Sequence, residues 1–385
     1  MRNKIIDNLR GLCMLGVIGI HIGSLALAPN DFTLYVLLEV LSRYSVPAFF
    51  FISGYGLFCT DKALPAGAAD NFSYLSFMKK RLKGAGLPYL SWSLLYMLYF
   101  WLILPPGYVS WQPAHVLFVL FFGLGCYHLY FMVILLWFYG TYPLWRRLMS
   151  LMRHAGLKIS LALLFIFQLA FNWWTTHPGV STQDWNVLAL NFFQYRLNYL
   201  PLHYLLIFMM GGLAAFYWDS FRSLLRRYTI PVTLFYTASI AWDVGSCLHA
   251  VRSEGYSLLD LANTFHQLSP QGLVYTIASL LFFCAMLDRL EEASSRADAG
   301  FLSKTMQKAI TVLSANSMLI YFVHPLILDW MTSFYHKFGI VMTVKKVAFS
   351  YFLLVFAALA FSLLLTKVFK KNKIASLLFT GHAGK

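Results

Sequence analysis

Charge is scarce in this chain. Only 12% of its 385 residues are Asp, Glu, Lys or Arg, 59% are hydrophobic, and the mean hydropathy is +0.64. A soluble domain of this size carries about twice that charged fraction, so a water-surrounded globule is excluded and a polytopic membrane protein is expected. Acidic residues are scarcest, 15 against 30 Lys and Arg. The resulting +15 does not point to nucleic acid, because the basic residues sit in short loops between apolar runs. Anionic membrane lipids and the positive-inside bias account for them. The five cysteines, Cys13, Cys59, Cys126, Cys247 and Cys284, show no CxxC or Cys/His spacing. All lie in or at the ends of apolar segments, where a thiol behaves as a small hydrophobe. This argues against a disulfide framework and a zinc site, and no metal is expected. Walker A, Rossmann glycine, HExxH and GxSxG patterns are also missing.

What is present is a series of apolar runs. Their lengths predict ten spans, at about 5–27, 34–58, 87–104, 115–145, 159–175, 199–218, 230–249, 271–290, 309–332 and 347–367. The fourth is too long for one straight helix. Gly123 and Gly125 are expected to divide it into a short outer or re-entrant piece (115–124) and a true span (127–145). The first run has the basic start and an Ala26-Leu27-Ala28 sequence of a signal peptide, but it is long enough to span and is read as an uncleaved helix. Placing the N-terminus inside puts 24 of the 30 basic residues on cytoplasmic ends and loops. The other six are Arg43, Arg196, Arg252, Lys337, Lys345 and Lys346. This imbalance predicts both termini inside. The expected fold is an all-α polytopic helical bundle, membrane-embedded over 1–372, with a basic cytoplasmic tail at 373–385. No soluble domain and no internal repeat are expected.

Several polar residues interrupt the apolar runs. His21 follows Arg10 by eleven residues, about three helical turns, so the two share one helix face about 16 Å apart. An ionisable residue inside a membrane span is a functional candidate by default. Asp7 lies on nearly the same face, one turn before Arg10. In the second run, Glu39 and Arg43 have the spacing of an i,i+4 pair. Pro47 is expected to kink the helix, and Ser53-Gly54-Tyr55-Gly56 offers small residues for close approach. Lys79, Lys80, Arg81 and Lys83 precede the third span. Such a cluster serves topology or clamps an anionic cofactor, with Arg81 able to hold phosphate bidentately. His128 and Tyr130 open the later half of the fourth run, and His324 and Asp329 lie in "LIYFVHPLILDW". These and Asp243 also read as polar helix-to-helix contacts. Trp173, Trp174 and Trp185 form an interfacial aromatic belt or a stacking platform for sugar rings.

Arg10 and His21 match the arginine, ten residues, histidine signature of the acyltransferase 3 family, and the chain resembles the branch of that family that modifies bacterial surface polysaccharides. "SRYSVPAFFFISGY" (42–55) is similar to its second-segment motif, and "KKRLKGAGLPYLSW" (79–92) to its basic stretch before the third span. "HLYF" with Tyr142-Pro143, and "IYFVHP" (320–325), are similar to weaker landmarks. The resemblance covers essentially the whole chain. One position departs: where relatives often carry a second arginine three residues after the one matching Arg81, this chain has Gly84. Many relatives also carry an extracellular hydrolase-like domain that is not expected here, so transfer would be completed by the membrane part or with a partner.

The resemblance implies transfer of an acetyl group from cytoplasmic acetyl-CoA to a hydroxyl of an extracytoplasmic polysaccharide or lipid-linked glycan, in a bacterial inner membrane. Acetyl is the default donor group and succinyl the variant. It casts His21 as general base or acyl acceptor beside Arg10. Arg10, Arg81, Lys80, Lys83 and Ser53 would bind the cofactor, and Glu39, Arg43, Tyr55, His128 and Tyr130 the acceptor. Membrane lipids are the other expected partners, and nucleic acid is not. The alternative reading is a transporter or exporter of a lipid-linked glycan without chemistry, for which paired broken helices would speak; the sequence suggests only one broken segment.

Overall fold

The structure is a computed structural model describing residues 3–62, 72–177, 179, 185–296, 298 and 300–382. Among these residues every regular element is helical. In chain order the helices are α1 (Lys4–Ala26), α2 (Phe32–Leu38), α3 (Ser45–Lys62), α4 (Tyr74–Arg81), α5 (Leu87–Ile103), α6 (Pro113–Phe122), α7 (Tyr130–Gly140), α8 (Tyr142–Ala155) and α9 (Leu157–Thr176). There follow α10 (Val187–Gln194), α11 (Arg196–Tyr199), α12 (Leu205–Phe216), α13 (Trp218–Arg227), α14 (Thr229–Ser253), α15 (Leu258–Thr264), α16 (Pro270–Ser295), α17 (Phe301–Lys337), α18 (Val344–Lys370) and α19 (Lys373–Thr380).

By length and apolarity, seven segments of the described residues qualify as membrane spans: α1, α2–α3, α4–α5, α9, α16, α17 and α18. An eighth counts if Pro201–Phe216 and Trp218–Arg227, bent by 101°, form one. Seven of the ten expected runs qualify, the run 199–218 does so only if the bent pair counts, and the runs 230–249 and 115–145 fall short. Helix α14 has 25 residues yet carries Asp243, His249 and Arg252. The fourth run breaks as expected, at Gly123, whose φ of +71° is left-handed backbone that glycine adopts freely. Its pieces, α6 and α7, have 10 and 11 residues; at 1.5 Å per residue neither crosses a ~30 Å core. The second run is also interrupted, by a tight 3-10 turn at Val40–Ser42. Pro47 falls in the first turn of α3, where its missing N–H costs no helical bond, so it starts that helix rather than kinking it. The chain thus has several broken segments where the sequence suggested one.

The chain divides into two compact units. The first joins Met1–Lys62 with Met210–Leu363. Its centre is α1, started by the Asn3 side chain, which accepts from the N–H groups of Ile5 and Ile6. Helices α2, α3, α16 and α17 all pack on it. Glycines make this possible. Gly11 meets the Ile310 carbonyl of α17, Gly16 meets Ser45, Gly19 meets Ser42, and Gly23 meets Glu39. Hydroxyls from the surrounding helices then donate to the α1 backbone: Tyr44 to the Leu12 carbonyl at 3.1 Å, Tyr351 to that of Leu15 at 3.2 Å, and Ser314 to that of Asp7. A second tie joins the 39–44 turn to α14. Arg43, only 1% exposed, donates to Asp243 at 2.9 Å and to the Tyr35 hydroxyl at 2.8 Å. On α16, Asp288 accepts from both Arg222 and Arg226 of α13. Outside the spans, the Ser257 hydroxyl and N–H hold the Asp260 carboxyl below the usual carboxylate range and start α15.

The second unit joins Ala63–Met209 with Leu364–Lys385. Helix α4 passes through a wide π turn, Leu82–Gly86, into α5. Residues 373–380 of the basic tail fold as α19 and pack on α5, where the Trp92 indole donates to the Phe379 carbonyl at 3.2 Å. Gly381 ends α19 with left-handed backbone directly against Gly84. Buried Gln168 bridges α9 to the Leu202 and His203 carbonyls, both at 2.9 Å.

Two outcomes follow from this packing. A Cβ at Gly11 would stand 2.6 Å from the Ile310 carbonyl oxygen, whereas one at Gly23 meets the movable Glu39 carboxylate at 2.9 Å. Gly11→Ala is expected to destabilise the purified protein by about 1–3 kcal/mol, against the ~1 kcal/mol that alanine normally gains in a helix. Gly23→Ala should change little, and thermal unfolding in detergent compares the two. Asp243→Ala strands a buried guanidinium and should cost about 3–5 kcal/mol, while Arg43→Met with Asp243→Leu should recover most of the folded yield.

Candidate active site

Helix α1 runs unbroken from Arg10 to His21, so the expected alignment on one face holds over a rise of about 16 Å. At the lower end Arg10 stays half-exposed and pairs with Asp7 at 4.0 Å. At the upper end the half-buried His21 ring stacks on His324 of α17, with ring centroids 5.1 Å apart and planes inclined by 27°.

His324 is fully buried, and its Nδ1 lies 3.0 Å from the Ile320 carbonyl oxygen one turn back. A carbonyl only accepts, so Nδ1 carries the proton and Nε2 the lone pair. Pro325 follows immediately and has no N–H for the Tyr321 carbonyl, yet the 37-residue α17 runs through it. The Tyr321 ring closes this side, 6.3 Å from His324. Two imidazoles in contact, one with a fixed proton position, form a site able to take up and release a proton in an apolar core.

Glu39 lies at this same end of α1, its carboxylate against Gly23. Its expected i,i+4 pairing with Arg43 is replaced: the 3-10 turn between them breaks helical spacing, and Arg43 turns to Asp243. Tyr55 is at the opposite end of α1, where its hydroxyl accepts from Asn3 Nδ2 at 2.8 Å and its ring meets Trp218 edge-on. Ser53, two residues before it on α3, donates back to the Phe49 carbonyl at 2.8 Å. The structure therefore gathers His21, His324 and Glu39 at one end of α1 and separates them from Tyr55.

The remaining expected residues belong to the second unit. Arg81 lies between two aromatic rings, 5.2 Å from the Phe77 centroid and 5.5 Å from that of Tyr139. Lys79, Lys80 and Lys83 around it are exposed. His128 is buried, edge-on to Tyr96 at 5.5 Å, and the Tyr130 backbone packs on Gly123 at the start of α7. Trp174 and Trp185 line a pocket of about 360 Å³ with Phe193 and Arg196. Arg196 donates to the Thr175 and Phe193 carbonyls, both at 2.7 Å, and desolvation there lowers its basicity.

Sequence reading undervalued His324. The signal was there, a histidine ahead of proline in an apolar run, but nothing in spacing alone links residue 324 to residue 21. The same holds for Arg43 and Asp243, which are 200 residues apart.

No curated protein and no solved structure matches the chain. A family model described as an acyltransferase domain matches residues 3–367, a range that includes Arg10, His21, Arg81 and His324. The chain therefore belongs to the acyltransferase 3 family and is a multi-pass membrane enzyme of acyl transfer.

Proposed function

We propose that this protein moves an acetyl group from acetyl-CoA at the cytoplasmic face to a hydroxyl of an extracytoplasmic polysaccharide or lipid-linked glycan, in a bacterial inner membrane with both termini inside. The observation that carries this reading is the His21–His324 stack on the helix that also bears Arg10. A cationic group at one end of α1 suits the phosphates of CoA. A proton-accepting group about 16 Å along the axis suits the reach of a pantetheine arm toward an acceptor on the other side.

In this reading the acceptor hydroxyl oxygen attacks the thioester carbonyl carbon. The carbon–sulfur bond breaks, an ester carbon–oxygen bond forms, and the hydroxyl proton passes through His21 to the departing thiolate. His324 acts as a positioning residue: its fixed Nδ1 proton sets which nitrogen it offers and so orients the neighbouring ring. Alternatively His21 first takes the acetyl group itself and hands it to the hydroxyl, which divides the same balance into two steps. Arg81, close to the Phe77 and Tyr139 rings, supports a separate contribution to CoA phosphate binding, with Lys80 and Lys83 adding charge.

His21→Ala is expected to lower acetyl transfer at least ~100-fold with unchanged amounts of protein in the membrane. Undiminished glycan acetylation in that variant rejects the assignment. Labelled acetyl retained on the protein in the absence of acceptor would identify His21 as acyl carrier, and its absence as base. His324→Ala should reshape the pH–rate profile and lower kcat more than it raises KM for acetyl-CoA. Arg81→Ala should raise KM for acetyl-CoA about tenfold, and Arg81→Lys should restore little, because ammonium lacks the planar fork.

A further inference from the structure

Helices α17 and α18 enclose a groove of about 580 Å³ that is almost entirely apolar, lined by Trp330, Phe334, Tyr335, Phe349 and Leu353, with Lys346 on its lining. Three exposed lysines stand on the segment that closes it: Lys337 in the last turn of α17, and Lys345 and Lys346 in the first turn of α18. None of the three is in an ion pair among the described residues, and the Lys346 ammonium donates to the Val341 carbonyl at 2.9 Å. Asp329 is the sole acidic residue from 327 to 353 and lies two turns deeper on α17 than Lys337.

These lysines are badly placed for any purpose of the fold itself. Lys345 and Lys346 face the positive end of the α18 dipole, where cations are disfavoured and anions favoured. With both termini inside, as proposed, the three of them are half of the six basic residues on the side that the positive-inside bias disfavours. An anion would relieve both conflicts, and the apolar groove beside them calls for a hydrocarbon chain.

We infer that this groove binds one anionic glycerophospholipid of the bilayer, its phosphate among Lys337, Lys345 and Lys346 and one acyl chain along Trp330, Phe349 and Leu353. The phosphate supplies the counter-charge that the fold omits, and the chain covers aromatic surface that is otherwise half-exposed.

Native mass spectrometry of the detergent-purified full chain tests this, with phosphatidylglycerol and phosphatidylcholine as probes. The wild type should retain at least one more equivalent of phosphatidylglycerol than the variant Lys337→Ala/Lys345→Ala/Lys346→Ala, and should favour it about tenfold over phosphatidylcholine. Because the three lysines are exposed and lie outside ion pairs among the described residues, that variant should fold normally. Leu353→Trp, which fills the groove and leaves the lysines intact, should lose the same equivalent. The inference is overturned if the triple variant keeps the bound lipid, if inorganic phosphate displaces it without a chain, or if a polyprenyl phosphate is retained in its place.

Discussion

The close approach of α1 to its neighbours is the constraint on which the first unit depends. In a bilayer there is no hydrophobic gain from bringing one apolar helix to another, so association rests on van der Waals packing and hydrogen bonding. Gly11, Gly16, Gly19 and Gly23 remove the side chains that would hold α17 and the 38–45 turn away. The space they leave is short enough for hydroxyls of Tyr44, Ser314 and Tyr351 to reach carbonyls of α1. Helix position is thereby fixed on several sides, and so is the height at which His21 faces His324.

The buried ionic groups follow a related logic. A lone guanidinium at the depth of Arg43 would be costly, and it is tolerated because Asp243 and Tyr35 both bind it. The pair is a helix fastener, and its charges are spent on each other. His21 and His324 differ in kind. They meet ring to ring, with the proton of one fixed by a carbonyl. In the proposed mechanism this contact would supply proton transfer in the core.

Much of this was legible in the residues. Apolar run lengths marked the seven segments that qualify as spans, Gly123 marked the break in the fourth run, and the eleven-residue step from Arg10 to His21 held because α1 is one continuous helix. The misreadings arose where local spacing was extended across a change of backbone. Glu39 and Arg43 looked like a helical pair, but a 3-10 turn separates them. Pro47 looked like a kink and is a helix start. Residues 373–380 of the basic tail add a helix, α19, that Phe379 seats on Trp92.

By itself, the sequence determined that the chain is a helical membrane protein, which of its residues were too polar to be there without a reason, and that Arg10 and His21 share a face. Those properties follow from composition and from the 3.6-residue period, which are local. Only the tertiary structure decided that His324 is the partner of His21, that Asp243 takes Arg43, and that Tyr55 stands at the far end of α1 from the histidines. Each joins or separates residues across intervening turns and long stretches of chain, and packing alone sets such distances.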